Sequence, residues 1–252
     1  MTATPRLPPF FRLLSVAELD STNEEAKRQA AQGAPAGLLV CAGAQTAGRG
    51  RRGRSFVSPP GNLYMSILLR PDPAAAHAAQ LGFAAALAVG DAARSFLPAG
   101  TTLAYKWPND VLVEGRKASG ILLESQGAAG GRLAWLVVGI GVNLASYPEN
   151  VETPAISLRA AGADAATPET MLEAVAGRFY HWHERWRVEG FPPLRAAWLA
   201  GAGGLGDDIR VRLQGSETRG RFAGLDEEGA LLLEEGTAQR RITAGDVFPA
   251  GA

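Results

Sequence analysis

Residues 48–54 read Gly-Arg-Gly-Arg-Arg-Gly-Arg and stand between two apolar stretches, 38–42 and 63–69, that predict β-strands. The glycines let the backbone approach a ligand closely, and the four guanidinium groups can surround a phosphate or carboxylate. Like charges about 4 Å apart repel by about 4 kcal/mol at an effective dielectric near 20. We therefore expect this loop to resist a compact fold until an anionic ligand orders it.

Two other interpretations of the loop stay open at this point. A solvated basic turn and an arginine- and glycine-rich RNA-binding tract would have the same composition. The usual phosphate-binding P-loop is excluded, because its glycine-lysine-serine or glycine-lysine-threonine ending is absent.

Composition limits the class of protein. A chain of 252 residues predicts one large domain and a smaller one. Its 46% hydrophobic and 20% charged residues are typical of globular proteins.

A formal net charge of +0 argues against broad electrostatic capture of nucleic acid or of a membrane surface. No stretch reaches the roughly 18 apolar residues needed to cross a bilayer. The single cysteine, Cys41, excludes an internal disulfide. We expect a cytoplasmic protein.

The basic residues are strongly biased. Of the 25, only Lys27, Lys106 and Lys117 are lysine, and the rest are arginine. A compact ammonium does different chemistry from a planar guanidinium. A lysine retained against this bias is therefore a candidate for chemistry that needs an amine.

The rest of the chain predicts a larger domain, 1–203, and a smaller one, 204–252. Further strands are expected at 13–19, 102–106, 111–113, 121–124 and 133–142, and helices at 23–32, 74–96 and 169–189. Glycines at 201–206 predict a mobile, unpacked linker. Four short strands after it, at 209–213, 219–225, 230–234 and 240–247, are typical of a small antiparallel barrel.

Two further segments carry polar groups at strand ends. Residues 106–110 read Lys-Trp-Pro-Asn-Asp, and Pro108 makes this segment a rigid corner. At the corner, Asn109 could bind a nucleobase edge or a ribose. Asp110 could bind a magnesium-bound water or orient an amine. An ordinary strand-end turn is the alternative. Lys117 precedes an apolar strand in which Gly120 permits a ligand to approach closely. We therefore expect Lys117 to be the lysine that takes part in the chemistry.

Other catalytic patterns fail. The stretch 139–143, Gly-Ile-Gly-Val-Asn, lacks the third glycine and following helix of a dinucleotide fingerprint. His181 and His183 lie two apart on a predicted helix and His77 is isolated, so no metal-binding cluster is expected.

Together, the motifs resemble those of the biotin protein ligase family in order and spacing, over nearly the whole chain. The motifs are Ser21-Thr22-Asn23, Gln45 with residues 48–54, KWPND at 106–110, Lys117 with SGILLE at 119–124, and GIGVN at 139–143. The resemblance implies an α+β fold: a class II synthetase-like catalytic domain, with helices packed on a mixed sheet, followed by a small SH3-like barrel. It also implies ATP-dependent formation of biotinyl-5′-AMP and transfer of biotin to a lysine of a biotin carboxyl carrier protein.

The resemblance also implies residue roles. It assigns biotin to Ser21, Thr22, Asn23, Gln45, Arg49, Gly50, Arg51, Lys117 and Gly120. It assigns the nucleotide to Arg52, Arg54, Phe56, Lys106, Trp107, Asn109 and Asn143. Catalysis falls to Arg49, Arg51, Lys117 and Asp110. Biotin is the substrate and ATP and Mg²⁺ are the cofactors, the metal being held through phosphates with Asp110 as the candidate protein ligand.

The chain departs from the family's common pattern at one aromatic residue. Phe56 stands where the family commonly has tryptophan, so we expect altered contacts near the bound adenylate. The catalytic pattern begins almost at the first residue, so we expect an enzyme without a DNA-binding function. An exposed sheet edge would permit a homodimer.

A lipoate or octanoate ligase is the nearest alternative function. An RNA-binding module is the rival from another class, disfavoured by neutral charge and by the lack of aromatic stacking motifs.

Overall fold

A seven-stranded mixed sheet forms the larger part of the molecule. The computed structural model describes residues 5–71, 75–127, 132–149 and 151–251. The strands are β1 Arg12–Leu19, β2 Leu38–Gln45, β3 Leu63–Leu69, β4 Leu103–Lys106, β5 Asp110–Val113, β6 Arg116–Gly127 and β7 Leu133–Val142. Their order is β1-β2-β3-β7-β6-β5-β4, with β1 parallel to β2 and the other pairs antiparallel. The predicted mixed sheet is confirmed.

Helices cover both faces of this sheet. They are α1 Thr22–Ala31, α2 Ala75–Ala78, α3 Leu81–Arg94, α4 Pro168–Glu189 and α5 Pro192–Ala200. Helix α1 packs on one face in a small cluster with Val40, Leu68 and Val137, while α3 and α4 belong to the main core on the other. Every residue of β3 is buried, which explains its nearly unbroken apolar sequence.

The helix predictions were right in kind and partly wrong in extent. The apolar face of α4 is buried as expected, and Pro168 at its start and the capping box of Thr167 and Thr170 define its N-terminus. The single helix predicted over 74–96 forms two helices, α2 and α3. Nothing in the sequence indicated this break, because no proline or glycine lies between residues 75 and 81. Ala74 lies outside the described residues. Helix α5, which buries Leu194 and Trp198, was missed because it is short.

A second sheet follows. Its strands are β8 Asp208–Arg212, β9 Glu217–Leu225, β10 Leu231–Glu235, β11 Ala238–Ile242 and β12 Asp246–Pro249, antiparallel in the order β11-β10-β9-β8-β12. Over the described residues, β11 and β12 do not pair with each other. The antiparallel sheet was predicted, but its closure into a barrel is not found.

The glycine-rich segment before this sheet is packed. Gly201 O accepts a hydrogen bond from Tyr105 N, and Gly203 N donates to Tyr105 O, both at 2.8 Å. A Cβ on Gly201 would lie 2.9 Å from the Tyr105 ring. The expectation of a mobile, unpacked linker is therefore wrong, because here the glycines permit close approach to β4. The division at residues 203 and 204 stays a prediction.

The turn between β9 and β10 packs against the larger part of the molecule. The indole nitrogen of Trp107 donates to Gly229 O at 3.1 Å, and Arg195 Nε donates to Leu225 O at 2.8 Å. Trp107 belongs to the 106–110 corner. The second sheet is thus tied directly to a segment that the sequence marked as functional.

Two helical glycines should respond oppositely to alanine. A Cβ on Gly90 in α3 would lie 2.4 Å from the hydroxyl of Tyr105, which is buried and stacked on Trp198, so Gly90→Ala should lower the free energy of unfolding by about 1–3 kcal/mol. A Cβ on Gly177 in α4 has nothing within 4 Å, so Gly177→Ala should raise it by about 0.5–1 kcal/mol. Urea denaturation measures both; equal effects would contradict the packing at Tyr105.

Candidate functional site

A cavity of about 410 Å³ lies over β6 and β7, between the start of α1, the basic loop, the 106–110 corner and β12. Sixteen of the predicted site residues line it: Ser21, Thr22, Asn23, Gln45, Arg49, Gly50, Arg51, Arg54, Phe56, Lys106, Trp107, Asn109, Asp110, Lys117, Gly120 and Asn143. Arg52 is the predicted site residue outside this lining. The structure thus brings together residues up to 122 positions apart in the chain, from Ser21 to Asn143.

One end of the cavity has a buried polar floor. Gln45 Oε1 accepts from Thr22 N at 2.8 Å and lies 3.2 Å from Thr22 Oγ1. Ser66 Oγ lies 2.7 Å from Thr22 Oγ1 and 2.6 Å from Asn23 Oδ1, and its single proton can serve one of them at a time. Such interlocked groups present donors and acceptors in fixed directions.

Ser66 was missed by the sequence interpretation, although one signal was available. It is the one hydroxyl residue other than Tyr64 within the apolar strand β3, and it is fully buried. A buried hydroxyl needs a hydrogen-bonding partner. Here the partners come from the first turn of α1. Ser21 occupies the N-cap position of α1 without a side-chain capping bond.

Glycines on β7 let this floor lie flat. A Cβ on Gly139 would lie 2.2 Å from Asn23 Oδ1, and one on Gly141 would lie 2.7 Å from the Phe56 ring. The ring of Phe56 also meets Tyr64 edge to face, with 6.3 Å between centroids. The 139–143 motif therefore serves close packing of site side chains on the sheet.

The corner at 106–110 lies beside this floor, with a cis peptide bond between Trp107 and Pro108. Asn109 Nδ2 donates to Ile121 O at 2.5 Å, and Asn109 Oδ1 accepts from Arg51 Nη1 at 3.2 Å. Lys106 Nζ lies 5.1 Å from the centre of the Phe248 ring, and burial holds the pKa of Lys106 below its usual value. Trp107 is buried and bonded to Gly229 O, which gives it a packing role in addition to its place in the lining.

Lys117 and Asp110 form an ion pair inside the cavity. Lys117 Nζ lies 2.6 Å from Asp110 Oδ1, although the contact lacks hydrogen-bond alignment. A Cβ on Gly120 would lie 3.2 Å from Lys117 Nζ, so the glycine makes room for the ammonium group. Asn143 Nδ2 donates to Lys117 O at 3.3 Å and to Ile156 O at 3.2 Å, and so holds the backbone beneath this pair.

The basic loop is compact. Arg51–Gly53 form one 3-10 turn, and Arg52 and Gly53 have positive φ. Asp246 of β12 lies 2.6 Å from Arg54 Nη2, 3.1 Å from Arg52 Nη1 and 3.6 Å from Arg51 Nη1. The expectation that repulsion prevents a compact fold is wrong, because this carboxylate offsets the positive charges. Ordering of the loop by a ligand stays a prediction.

The partners of the loop come from two distant parts of the chain. Burial would raise the pKa of Asp246, but Arg54, Arg52 and Arg51 outweigh it and hold that pKa below its usual value. At the other end of the loop, Arg49 Nη1 lies 2.8 Å from Glu24 Oε1. Asp246 lies 192 positions from Arg54, and no sequence signal marked it.

Other residues of the lining were not predicted as site residues, although those at 108, 121–122 and 139–141 lie in the motifs at 106–110, 119–124 and 139–143. They are Ser55, Val57, Tyr64, Pro108, Ile121, Leu122, Gly139, Ile140, Gly141, Pro148, Val151, Glu152, Thr153, Ala155, Asp246, Val247 and Phe248. Within the described residues, no three histidine, cysteine or acidic side chains are grouped to hold a metal ion. No helix of that part of the chain is long and apolar enough to cross a membrane.

Asp246→Asn should loosen the basic loop, because the guanidinium groups of Arg51, Arg52 and Arg54 would then repel with no carboxylate among them. We expect trypsin to cleave after the arginines of residues 49–54 several-fold faster in this variant than in the unsubstituted protein, as measured by mass spectrometry of the peptides. Glu217→Gln is the control, since Glu217 pairs with Arg210 in the same sheet at 2.8 Å. Equal cleavage of both variants would show that Asp246 does not hold the loop.

Two protein families match the chain. Residues 16–143 match the biotin/lipoate A/B protein ligase family. Residues 204–248 match the biotin protein ligase C terminal domain. The first match contains the polar floor, the basic loop, the corner and Lys117, and the second contains Asp246.

Individual relatives match over most of their length. A biotin--[acetyl-CoA-carboxylase] ligase of Paracoccus denitrificans is 44% identical over 94% of this chain and 100% of its own. The bifunctional ligase/repressor BirA of Bacillus subtilis is 35% identical over 91% of this chain and 71% of its own. A solved biotin protein ligase from Aquifex aeolicus, in complex with biotin and ATP, is 28% identical with a TM-score of 0.77, covering 94% of this chain and 97% of that one.

Proposed function

The chain belongs to the biotin/lipoate A/B protein ligase family, and we propose that it is an ATP-dependent biotin–protein ligase. It forms biotinyl-5′-AMP and pyrophosphate from biotin and ATP, and then transfers biotin to a lysine of a biotin carboxyl carrier protein. The observation that carries this proposal is a polar floor of Thr22, Asn23 and Gln45, backed by the buried Ser66, next to a cationic loop in one cavity.

The floor suits the ureido ring of biotin. That ring has a carbonyl acceptor and two N–H donors, which need fixed partners of opposite kind. A site with buried hydrogen-bonding groups rejects a ligand that leaves them unpaired. A lipoyl or octanoyl chain offers no such groups at its distal end, so the floor favours biotin over the substrates of the lipoate branch of the family.

The cations suit the activation step. The carboxylate of biotin and the phosphates of ATP repel each other, and Arg49, Arg51 and Lys117 all line the cavity in which they would meet. Fixed cations stabilise the charge that develops on the α-phosphate and on the departing pyrophosphate. Magnesium, when bound, neutralises phosphate charge. Asp110, a mostly buried carboxylate in the lining, fits such an ion as one protein ligand beside phosphates and water.

Transfer requires an uncharged carrier lysine and protection of the adenylate from water. The basic loop, packed against β12, covers the cavity and limits hydrolysis of the mixed anhydride. Asp110 is placed to orient the attacking amine or accept its proton. Its pairing with Lys117 keeps the carboxylate and the ammonium next to each other during both half-reactions.

We infer that the second sheet is an SH3-like module, supported by the match of residues 204–248 to the ligase C-terminal domain. A cytoplasmic location, a homodimer through an exposed sheet edge and the lack of a DNA-binding role stay predictions. An RNA-binding role is disfavoured, because Asp246 and Glu24 engage the arginines of the loop.

Pyrophosphate exchange tests the proposed activity directly. We expect exchange of label from pyrophosphate into ATP when biotin is present, and background exchange with lipoate or octanoate. Exchange with lipoate alone would assign the chain to the other branch of the family. A purified carrier domain should then become biotinylated at one lysine, as measured by mass spectrometry.

Lys117→Arg should reduce biotin-dependent exchange by about a hundredfold, although the charge is kept, because the guanidinium fork does not fit the space over Gly120. The neighbouring exposed residue provides a matched control: Arg116→Lys should leave the exchange rate unchanged. Circular dichroism checks that both variants fold. Full activity of Lys117→Arg would show that any cation suffices at this position.

A further inference from the structure

Lys27 is the one lysine of the chain that does not line the cavity, and it lies directly beside its floor. It is in the second turn of α1, and its Nζ lies 2.7 Å from Glu24 Oε1 and 2.9 Å from Glu124 Oε1. We propose, on the basis of the proposed function, that Glu24, Lys27 and Glu124 are positioning residues that hold Asn23 and Arg49 in their orientation toward biotin.

Glu124 connects the lysine to the floor. Its Oε2 accepts from Asn23 Nδ2 at 2.8 Å, while its Oε1 binds Lys27. At the other side of the Asn23 amide, Ser66 Oγ lies 2.6 Å from Oδ1. The carboxylate, which can only accept, therefore selects one of the two orientations of this amide, which is 4% exposed, and the hydroxyl can pair with that orientation. A reversed amide would exchange donor and acceptor in the floor.

Glu24 connects the lysine to the loop. Its Oε1 lies 2.7 Å from Lys27 Nζ and 2.8 Å from Arg49 Nη1, so one carboxylate oxygen lies between two cations. Arg49 is otherwise half exposed, and Glu24 fixes its end of the loop. The two glutamates thus link Arg49, above the cavity, to Asn23, below it.

Lys27 is what allows the two carboxylates to lie close together. Glu24 and Glu124 both approach its single nitrogen atom, and their side chains are only 23% and 25% exposed. Burial would raise the pKa of Glu124, but Lys27 and Asn23 outweigh it and hold that pKa below its usual value. Without the ammonium the carboxylates would repel, and each would pull its partner, Arg49 or Asn23, out of position.

The geometry explains why this position is lysine in a chain that otherwise uses arginine. A compact ammonium can donate to two carboxylates that converge on one point, whereas a guanidinium presents its donors in a wider planar fork. An ordinary pair on a helix surface would involve Glu24 alone, three positions away. Glu124 comes from β6, 97 positions away, and already binds Asn23.

The test compares Lys27→Met with Arg187→Met in the pyrophosphate exchange assay. Arg187 pairs with Glu184 at the same helical spacing in α4, 2.9 Å apart, and has no link to the cavity. Lys27→Met should raise the KM for biotin about tenfold through Asn23, lower kcat several-fold through Arg49 and leave the KM for ATP within about twofold, effects in the range that members of one hydrogen-bonded network exert on each other. Arg187→Met should change none of them.

A double-substitution cycle separates positioning from general destabilisation. In an Asn23→Ala background, the effect of Lys27→Met on the KM for biotin should be smaller than in the unsubstituted protein, because one of its two targets is gone. Equal effects in both backgrounds would overturn the link to Asn23. If Lys27→Met unfolds at a lower temperature, Glu24→Gln replaces it and should likewise raise the KM for biotin and lower kcat without changing the KM for ATP.

The outcomes for the two proposals are distinct. No biotin-dependent exchange by the unsubstituted protein would overturn the proposed function and this network with it. Normal exchange, with an unchanged KM for biotin in folded Lys27→Met, would overturn the network alone. Equal rises in the KM for biotin and the KM for ATP would also overturn it, since they would indicate a structural role.

Discussion

The neutralisation of the arginine loop by carboxylates from elsewhere in the chain is the interaction on which the site depends. Four guanidinium groups in seven residues repel one another, and such a loop cannot fold over a cavity by its own interactions. Asp246 supplies the counter-charge at one end and Glu24 at the other. The second sheet is therefore part of the site, since it carries the carboxylate that holds the loop.

This dependence explains the way in which the two sheets are joined. The turn before β10 accepts a hydrogen bond from Trp107, and the packed glycines of 201–206 fix the chain against β4. Both contacts keep β12 close to the cavity, where Asp246 can reach the loop. A mobile connection would leave the guanidinium groups without their partner for part of the time.

Charge and close packing divide the cavity into two chemical regions. At the floor, Gly139 and Gly141 let polar and aromatic side chains lie on the sheet, and the groups there interlock through neutral hydrogen bonds. At the other end, Lys117, Asp110 and the loop arginines provide charges for phosphates and a carboxylate. The first region suits recognition of an uncharged polar ring, and the second suits adenylation. Lys27 and its two glutamates connect them.

The sequence by itself determined the strands, most helices and the motifs whose residues line the cavity. Strand and helix periodicity depends on neighbours in the chain, and a motif such as residues 106–110 carries its polar groups within five positions. Sixteen of the site residues assigned through the resemblance of these motifs to the biotin protein ligase family line one cavity. Arg52 does not line the cavity. Its backbone has a positive φ in the turn, and its guanidinium group contacts Asp246.

Only the tertiary structure decided which groups meet across the chain. Asp246, Ser66 and Glu124 became site partners through strand order and helix packing, since Asp246 lies 192 positions from Arg54, and Ser66 and Glu124 lie 43 and 101 positions from Asn23. The same holds for the glycines of 201–206, whose composition permits either a mobile linker or close packing; the presence of Tyr105 selects packing. Local sequence sets each backbone conformation, whereas charge pairing and steric contact depend on distances that exist only after folding.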